Sequence, residues 1–230
     1  MNANLTTICI LTAGLLISAT LGCGQAGSPT SGQAEPPGKD IALPPPVTTG
    51  GMSLAEAISN RRSVRQFRPE PLTLQQLSQL AWSAQGITDQ ATGRRAAPSA
   101  GATYPLEFYL LTKDGVFRYL PQGHKLVRLS DEDRRDDLSK AALGQQSVSQ
   151  APLDIVIAGV FARTEARYKE RARQYVYMEA GHVAENLVLQ GVALGLGSVT
   201  VGAFRDESVS DVMEFPSDQT PLYIIPVGHP

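Results

Sequence analysis

The segment from about Ala172 to Leu194 constrains the fold more than any other part of the chain. Its apolar residues fall at helical spacing and cover most of the circumference. They are Val176, Met178, Ala180, Val183, Ala184, Leu187, Val188, Val192 and Ala193. A helix that is apolar on most sides must be surrounded by other protein, so we expect a long central helix. Gly181, Ala184 and Gly191 give it small surfaces where a second backbone can approach, in the core or across a dimer interface.

Capping signals predict two helices earlier in the chain. Ser53 and Glu56 have the spacing of a capping box, which predicts a short helix near the start of the folded part. Thr73 and Gln76 repeat that spacing before a second apolar pattern, and this helix is expected to run to about Gln85.

Strands are expected between the helices. Residues 107–113 and 116–120 alternate in polarity around Asp114-Gly115, which predicts a hairpin with a tight turn. Residues 155–161 are apolar throughout, and such a run is typical of a strand that is covered on both faces.

The carboxyl-terminal half mixes helices and strands without a repeating βαβ unit. Ser130 with Asp133 predicts the start of another helix. A short helix over residues 206–213 is expected between strands at 198–201 and 222–227. The fold class is therefore α+β, with helices on both sides of a sheet.

Composition argues against several classes of protein. The net charge is −2 with acids and bases intermixed, so we expect no nucleic-acid partner. Both cysteines, Cys9 and Cys23, precede residue 24, which leaves the rest of the chain without disulfides or thiolate chemistry. The three histidines lack the spacing of metal ligands, and no metal site is expected.

The amino terminus has the pattern of an export signal. Residues 8–21 are almost wholly apolar and uncharged, but the run is short for a membrane-spanning helix. The sequence Thr20-Leu21-Gly22-Cys23 resembles a bacterial lipobox, which makes Cys23 the candidate lipidation site. We therefore expect an exported bacterial protein, anchored by lipid on the periplasmic or extracellular face of the cell membrane. An ordinary signal peptide or an uncleaved tail is the alternative.

Residues 24–51 separate this signal from the folded part. The segment is rich in Gly, Pro, Ser and Thr, a composition that buries too little apolar surface to fold. It is predicted to be a disordered tether, followed by one folded domain over residues 52–230.

A cluster of arginines carries the first chemical signal. Arg61, Arg62, Ser63 and Arg65 place three guanidinium groups and a hydroxyl within five residues. Guanidinium is a planar, permanently charged fork that binds phosphate oxygens in pairs, so the run suits a phosphate monoester. On charge alone, a solvated basic turn is the commoner explanation.

Two small-residue turns follow. Pro98, Ser99, Ala100 and Gly101 precede a strand, and their size lets the backbone approach a flat ring, although alone they would be an ordinary turn. Gly202 and Ala203 stand directly after a predicted strand.

These segments resemble the nitroreductase family, and specifically its SagB-type dehydrogenase branch. Residues 61–67 are similar to the R-R-S-x-R-x-F signature that grips the phosphate of FMN. Residues 97–107 resemble the P-S-x-G-x-x-x-P loop, which reaches across the dimer to the flavin. Residues 179–199 resemble the long central helix and its G-L-G exit, and residues 201–204 the turn that presents N–H groups to the N5 and O4 edge of the flavin.

The resemblance implies a nitroreductase-like central mixed sheet flanked by helices, in an intertwined homodimer. It further implies an FMN-dependent oxidoreductase that works by ping-pong two-electron transfer, with NAD(P)H or another small donor and an unidentified small or peptide substrate. No catalytic side chain is assigned, because N5 itself carries the hydride. Tyr104, Tyr168 and Lys169 are candidate proton donors only.

Two alternatives stay open. One is a lipid-anchored, non-catalytic flavin- or ligand-binding module on the same fold, because a fold does not by itself imply a reaction. The other is binding of a phosphate or nucleotide by the arginine cluster without flavin.

Overall fold

The computed structural model describes residues 40–230, so the expected export signal, Cys23 and the first part of the expected tether lie outside the described residues. In chain order the strands are β1 (Ile41–Ala42), β2 (Ile87–Asp89), β3 (Arg94–Arg95), β4 (Leu106–Thr112), β5 (Gly115–Leu120), β6 (Lys125–Ser130), β7 (Leu153–Gly159), β8 (Gly197–Ser198) and β9 (Thr220–Gly228). Strands β2 and β3 pair with each other, and the other seven form one sheet in the order β1-β6-β5-β4-β7-β9-β8. Every pairing between these strands is antiparallel.

Helices cover both faces of the large sheet. They are α1 (Leu54–Asn60), α2 (Leu74–Gln85), α3 (Arg135–Ala141), α4 (Gln146–Gln150), α5 (Phe161–Tyr168), α6 (Ala172–Ala193) and α7 (Asp206–Met213). One apolar core contains residues of α2 and α6, and a second contains residues of α3, α4 and α7. The expected α+β class, with a central sheet between helices, is confirmed. A mixed sheet was expected, whereas the described strands of this sheet pair antiparallel. Within residues 40–230 no helix combines the length and the apolar character needed to cross a bilayer.

Several local predictions are confirmed in detail. The capping box at α2 is complete: Thr73 Oγ1 accepts from the Gln76 amide at 3.2 Å, and Gln76 Oε1 accepts from the Thr73 amide at 2.8 Å. Ser53 caps α1 by accepting from the Glu56 amide at 3.2 Å. Helix α6 has the predicted length, and all of β7 is buried, as an apolar run without alternation requires.

Two boundaries were predicted wrongly. Ser130 ends β6, where it pairs with Val116, and α3 begins only at Arg135. The spacing of Ser130 and Asp133 resembles a helix start, but Ser130 belongs to strand β6, which was not predicted from the sequence. Phe161 starts α5 instead of ending β7, and its ring packs edge-on against Tyr177 with the centroids 5.6 Å apart.

The structure also differs from the expected tether near its carboxyl end. Ile41 pairs with Leu126, and Leu43 is buried in the core that includes α2 and α6. The Pro44 carbonyl accepts from Ser78 Oγ at 2.5 Å, and the Val47 amide donates to Gln79 at 2.8 Å. Prolines lack a donor but keep their carbonyl acceptor, so a proline-rich segment can still dock when a few apolar residues accompany it.

Candidate functional site

The arginine run lies along one edge of the large sheet. After α1 ends at Asn60, the chain runs beside β8, where Ser63 and Ser198 form a parallel bridge. The Val64 amide donates to the Ser198 carbonyl at 2.9 Å. These contacts fix the backbone of residues 61–65 at the sheet edge.

Glycine makes this close approach possible. A Cβ on Gly197 would lie 2.7 Å from Val64 Cβ, well inside van der Waals contact. Gly197 belongs to the G-L-G segment at the exit of α6. The segment after α6 and the arginine run therefore pack closely against each other.

The side chains of the run are available to a ligand. Arg61 is half-buried, whereas Arg62, Ser63 and Arg65 are exposed. Arg62 folds back to donate to the Ser59 and Arg61 carbonyls at 2.8 and 2.7 Å. Within residues 40–230 no carboxylate forms an ion pair with any of the three arginines. The edge is thus a cationic surface whose charge the described protein does not neutralise.

The turn at residues 202–203 continues along the same edge. Val201 and Ile224 exchange two backbone hydrogen bonds at 2.8 and 3.0 Å, and Gly202 and Ala203 then leave the sheet as exposed residues. In the described part of the chain neither of their amides donates a hydrogen bond. Val201 follows Ser198 by three residues, about 10 Å of extended chain. One elongated ligand can therefore contact both the arginines and these two amides.

The loop that contains residues 98–101 has a strained, well-braced backbone. Gly101, Ala102 and Tyr104 have φ of 59°, 55° and 44°, in the left-handed region that L-residues avoid. Ser99 Oγ accepts from the Tyr104 amide at 2.9 Å across the turn. Arg163 donates to the Tyr104 carbonyl at 3.1 Å. The loop is held in one uncommon conformation.

Glycine suits position 101 because of its backbone angle and its close neighbours. Its φ is positive, and an added Cβ would lie 2.7 Å from the Tyr168 hydroxyl oxygen and 2.8 Å from Arg167 Nη1. Of the proton-donor candidates, Tyr104 belongs to this loop and Tyr168 packs against it.

Sheet register keeps this loop away from the arginine run within one chain. The loop leads into β4 at Leu106, which pairs with Gly159 at the end of β7. The arginine run borders Ser198, whose partner Val227 pairs with Leu153 at the start of β7. Six residues of strand, about 20 Å, separate these two levels. Within one chain, residues 61–65 and 202–203 follow the same sheet edge, whereas residues 98–101 lead into β4 at the end of β7 opposite to the one that the arginine run borders.

Two cavities of a single chain lie elsewhere. One of about 620 Å³ is lined by residues 47–52 and Leu54 with parts of α2 and α6, and one of about 810 Å³ is lined by residues of β4, β5 and β6 and of the segment that leads into α2. Neither is lined by Arg61, Arg62, Ser63, Arg65 or the two small-residue turns. Most residues of the candidate site of one chain are exposed.

A buried polar cluster beside the 98–104 loop was not predicted from the sequence. Glu179 of α6 is 2% exposed and accepts from Gln85 Nε2 at 3.2 Å. Arg95 Nη1 donates to Gln85 Oε1 at 3.4 Å. Burial raises the pKa of Glu179 to about 7, against the opposing effects of hydrogen bonds from Ser99 and Gln85 and the charge of Arg95. One sequence signal could have revealed this cluster. Glu179 follows Val176 by three residues, which puts an acidic side chain on the inward face of a helix predicted to be central.

The chain is similar to known proteins over most of its length. The Nitroreductase family model matches residues 58–229. A protein of Methanocaldococcus jannaschii with a provisional nitroreductase name is 42% identical over 183 residues, which cover 77% of this chain and 91% of that protein. An FMN reductase [NAD(P)H] of Bacillus subtilis is 21% identical over 191 residues, covering 76% of this chain and 65% of that protein.

One solved structure gives the corresponding result for the fold. A crystal structure from Ralstonia eutropha, also provisionally named a nitroreductase, superposes with a TM-score of 0.76 at 31% identity. The match covers 83% of this chain and 89% of that one.

Proposed function

Because the chain belongs to the nitroreductase family of oxidoreductases, we propose that it is an FMN-dependent enzyme that transfers two electrons between small molecules. One observation carries the proposal. Three arginines without a carboxylate partner and two amides without a hydrogen-bond acceptor lie about 10 Å apart on one sheet edge of the described protein.

These residues suit the two ends of FMN. Arg61, Arg62, Ser63 and Arg65 would hold the phosphate through charge-assisted and hydroxyl hydrogen bonds. The amides of Gly202 and Ala203 would face the N5 and O4 edge of the ring. Their positions are fixed by the Val201–Ile224 bonds, so they can stabilise negative charge there without reorganising, as in an oxyanion hole. When bound, FMN would supply hydride transfer at N5.

A second copy of the chain would complete the site. The register of β7 puts the start of β4, into which residues 98–101 lead, about 20 Å along the sheet from the level of the arginine run. The loop of a partner is therefore the better candidate to cover the ring. Exposed apolar side chains give such a homodimer a surface. They are Leu54 and Ile58 of α1 and Tyr177 and Met178 of α6. Exposed apolar side chains on two helices are a feature that a protein interface would bury.

The expected reaction follows a ping-pong order. NAD(P)H or another small donor would bind first, and an acceptor would then use the same pocket. No Gly-x-Gly-x-x-Gly turn follows a strand in this sequence, which argues against a separate nicotinamide site. The motif resemblance favours the SagB-type dehydrogenase branch, and the substrate could be a small molecule or a peptide. We further propose export, with lipidation at Cys23 as the membrane anchor.

Purified protein tests the proposal directly. We expect a yellow protein whose flavin absorbance bleaches with NADH, NADPH or dithionite and returns when a quinone or nitro compound is added. A colourless protein that does not bind added FMN would contradict it. Flavin that binds but exchanges electrons with no donor or acceptor would favour the non-catalytic module.

A further inference from the structure

The segment from Ile41 to Val47 is bound along the domain as a strap. It pairs with β6 at its first residues, and Leu43 is buried while its amide donates to the His124 carbonyl at 3.1 Å. The Gln79 side chain accepts from the Val47 amide at 2.8 Å and donates to the Val47 carbonyl at 3.0 Å. Hydrogen bonds to its backbone therefore hold this strap at both ends.

The ring of His124 holds the middle of the strap. Its Nε2 lies 2.7 Å from Ser78 Oγ and 3.1 Å from the Pro44 carbonyl oxygen, and Ser78 Oγ donates to that carbonyl at 2.5 Å. On the other side of the ring, Nδ1 lies 2.9 Å from the Tyr119 hydroxyl oxygen. One imidazole thus connects the strap with α2 and β5.

These contacts fit one protonation state of the ring. A carbonyl can only accept, and the Ser78 proton is directed to Pro44, so Nε2 must donate to both oxygens. In a neutral imidazole the other nitrogen is then an acceptor, and the Tyr119 hydroxyl donates to it. Tyr119 is 2% exposed, and within residues 40–230 Nδ1 is the hydrogen-bond partner of its hydroxyl. The neutral ring with its proton on Nε2 therefore satisfies every group of the cluster.

A second proton on the ring would break this arrangement. Nδ1 would become a donor and would face the Tyr119 proton, so the buried hydroxyl would have to turn away from its partner. Leaving a buried donor without an acceptor is costly. When the strap leaves, the ring of His124 reaches water and can carry the second proton without that cost.

We infer that residues 41–47 form a pH-sensitive strap, which the neutral ring of His124 holds against α2 and β5 and which the protonated ring releases. Residues 47–52 line the cavity of about 620 Å³ together with parts of α2 and α6. Release of the strap therefore opens one wall of that cavity. The inference does not depend on flavin.

The groups around His124 do not offer the protonated ring a free carboxylate. Helix α2 contains no charged residue. On β6, Lys125 pairs with Asp40, just before the strap, at 2.6 Å. Arg95 acts on Tyr119, whose pKa is raised by burial, so the Tyr119 hydroxyl keeps its proton.

The direction of the pH effect follows from burial of the ring. Burial lowers the pKa of His124 in the docked state, against the opposing effect of the Pro44 carbonyl. A histidine in water ionises near pH 6.5, at about its ordinary pKa. The strap is therefore held most firmly above this value. Below it, release becomes more favourable by at most about tenfold per pH unit.

The first test determines the state of the ring in the ligand-free full chain in detergent. Nitrogen-15 NMR distinguishes protonated from unprotonated ring nitrogens. At pH 8 we expect a proton on Nε2 of His124 and none on Nδ1, whereas the exposed His182 should show both tautomers. A proton on Nδ1 of His124 at pH 8, or a mixture of tautomers there, would overturn the inference.

The second test measures hydrogen exchange at the Leu43 and Val47 amides, corrected for the intrinsic effect of pH on exchange. Their protection in the wild type should be several-fold and at most about tenfold lower at pH 5.5 than at pH 7.5. His124→Gln keeps a donor and cannot ionise, so its protection should be the same at both values. His182→Gln should behave like the wild type. Constant protection in the wild type, or an equal loss in His124→Gln, would contradict release by His124.

The third test follows the cavity through Trp82. This residue is the one tryptophan of the chain and lines the cavity together with residues 47–52. Acrylamide should quench its fluorescence more at pH 5.5 than at pH 7.5 in the wild type, and equally at both in His124→Gln. Equal quenching in the wild type would overturn the opening of the cavity. All three tests use protein without FMN, so a chain that binds no flavin would contradict the proposed function alone.

Discussion

The amide of Val64 donates to the carbonyl of Ser198 at 2.9 Å, across more than 130 residues of chain. This bond sets the arginine run against the exit of α6, three residues before the turn that leads to Gly202. The two segments are remote in sequence, and only the sheet edge brings them together. The candidate phosphate contacts and the candidate ring contacts depend on this one alignment.

Gly197→Ala should disturb that alignment. The new Cβ would lie 2.7–2.8 Å from three side-chain atoms of Val64, which forces the arginine run away from β8. We expect a stability loss of about 1–3 kcal/mol from overpacking, and a much weaker affinity for FMN. Thermal unfolding and a fluorescence titration with FMN measure the two effects.

Gly191→Ala provides the matched control. It also adds a Cβ near the end of α6, but the nearest contact would be an ordinary 3.9 Å to Leu80. This variant should keep wild-type affinity and gain slightly in helix stability. Unchanged FMN binding by Gly197→Ala would contradict the proposed alignment.

Arg62→Ala combined with Arg65→Ala should release FMN while the protein stays folded. Each guanidinium would contribute a charge-assisted hydrogen bond to the phosphate, worth about 1.5–3 kcal/mol, so the double variant should lose at least about 100-fold in affinity. Arg62 also donates to the Ser59 carbonyl, and its loss should weaken the end of α1 slightly.

Arg68→Ala separates this effect from a general loss of positive charge. Arg68 is exposed and lies three residues beyond Arg65, where its backbone amide bonds to His229. Its substitution should change the affinity for FMN little. A similar loss in Arg68→Ala and the double variant would indicate a diffuse charge effect instead of a phosphate site.

The sequence predicted those helices that are specified by residues close together in the chain. The bounds of α6 and α7 and the capping box of α2 follow from spacing within a few residues, and the structure reproduces them. Strand β6 was missed because its residues are only partly apolar and are stabilised by pairing with β5. The sequence also did not predict that the segment at Leu43 packs on the domain. That packing depends on hydrogen bonds to Ser78 and His124, which lie far along the chain.

In the candidate site, too, local features were predictable and contacts between distant segments were not. The residue types in the arginine run and the two turns could be read from the sequence. Their relative placement could not, because the register of β7 sets which end of the sheet each segment borders. The polar cluster at Glu179 was also out of reach, because Gln85, Arg95 and Ser99 meet it only in the folded chain.

Met178→Asp should convert the proposed homodimer into monomers. Met178 is 49% exposed on the central helix of a single chain, and a carboxylate placed in an apolar interface would have to be desolvated without a partner. Light scattering after size-exclusion chromatography should show half the wild-type mass. FMN should be lost with the dimer, because the partner's loop would no longer cover the ring.

Leu143→Asp is the control for the change in hydrophobicity and charge. Leu143 is 54% exposed, similar to Met178, but lies in the turn after α3. This variant should remain dimeric and retain flavin. A wild type that is monomeric at all concentrations and still holds FMN would contradict a site shared between two chains.

Asp154→Asn should stabilise the protein, and more so as the pH rises. Asp154 lies within β7 and is fully buried, and in the described part of the chain neither of its carboxyl oxygens has a hydrogen-bond partner. Arg135 lies close enough to act on it, but its guanidinium pairs with Asp133 at 2.6 Å. Burial therefore raises the pKa of Asp154 well above its usual value.

The direction of the pH effect follows from this shift. In the unfolded chain Asp154 ionises near pH 4, while in the folded protein it keeps its proton to higher pH, so folding takes up a proton between these values. The wild type then loses about 1.4 kcal/mol of unfolding free energy per pH unit across that window. Asparagine has nearly the same shape and does not ionise, so the variant should lack this loss.

Thermal unfolding at pH 5 and pH 8 measures the difference. The melting temperature of Asp154→Asn should exceed that of the wild type at pH 8 by more than it does at pH 5. Asp211→Asn, at an exposed aspartate of α7, should follow the wild type at both values. Glu179 adds its own slope to the wild type and to both variants, because its pKa is also raised. The comparison between variants therefore isolates Asp154, and a constant difference between pH 5 and pH 8 would mean that its carboxyl does not titrate as its burial requires.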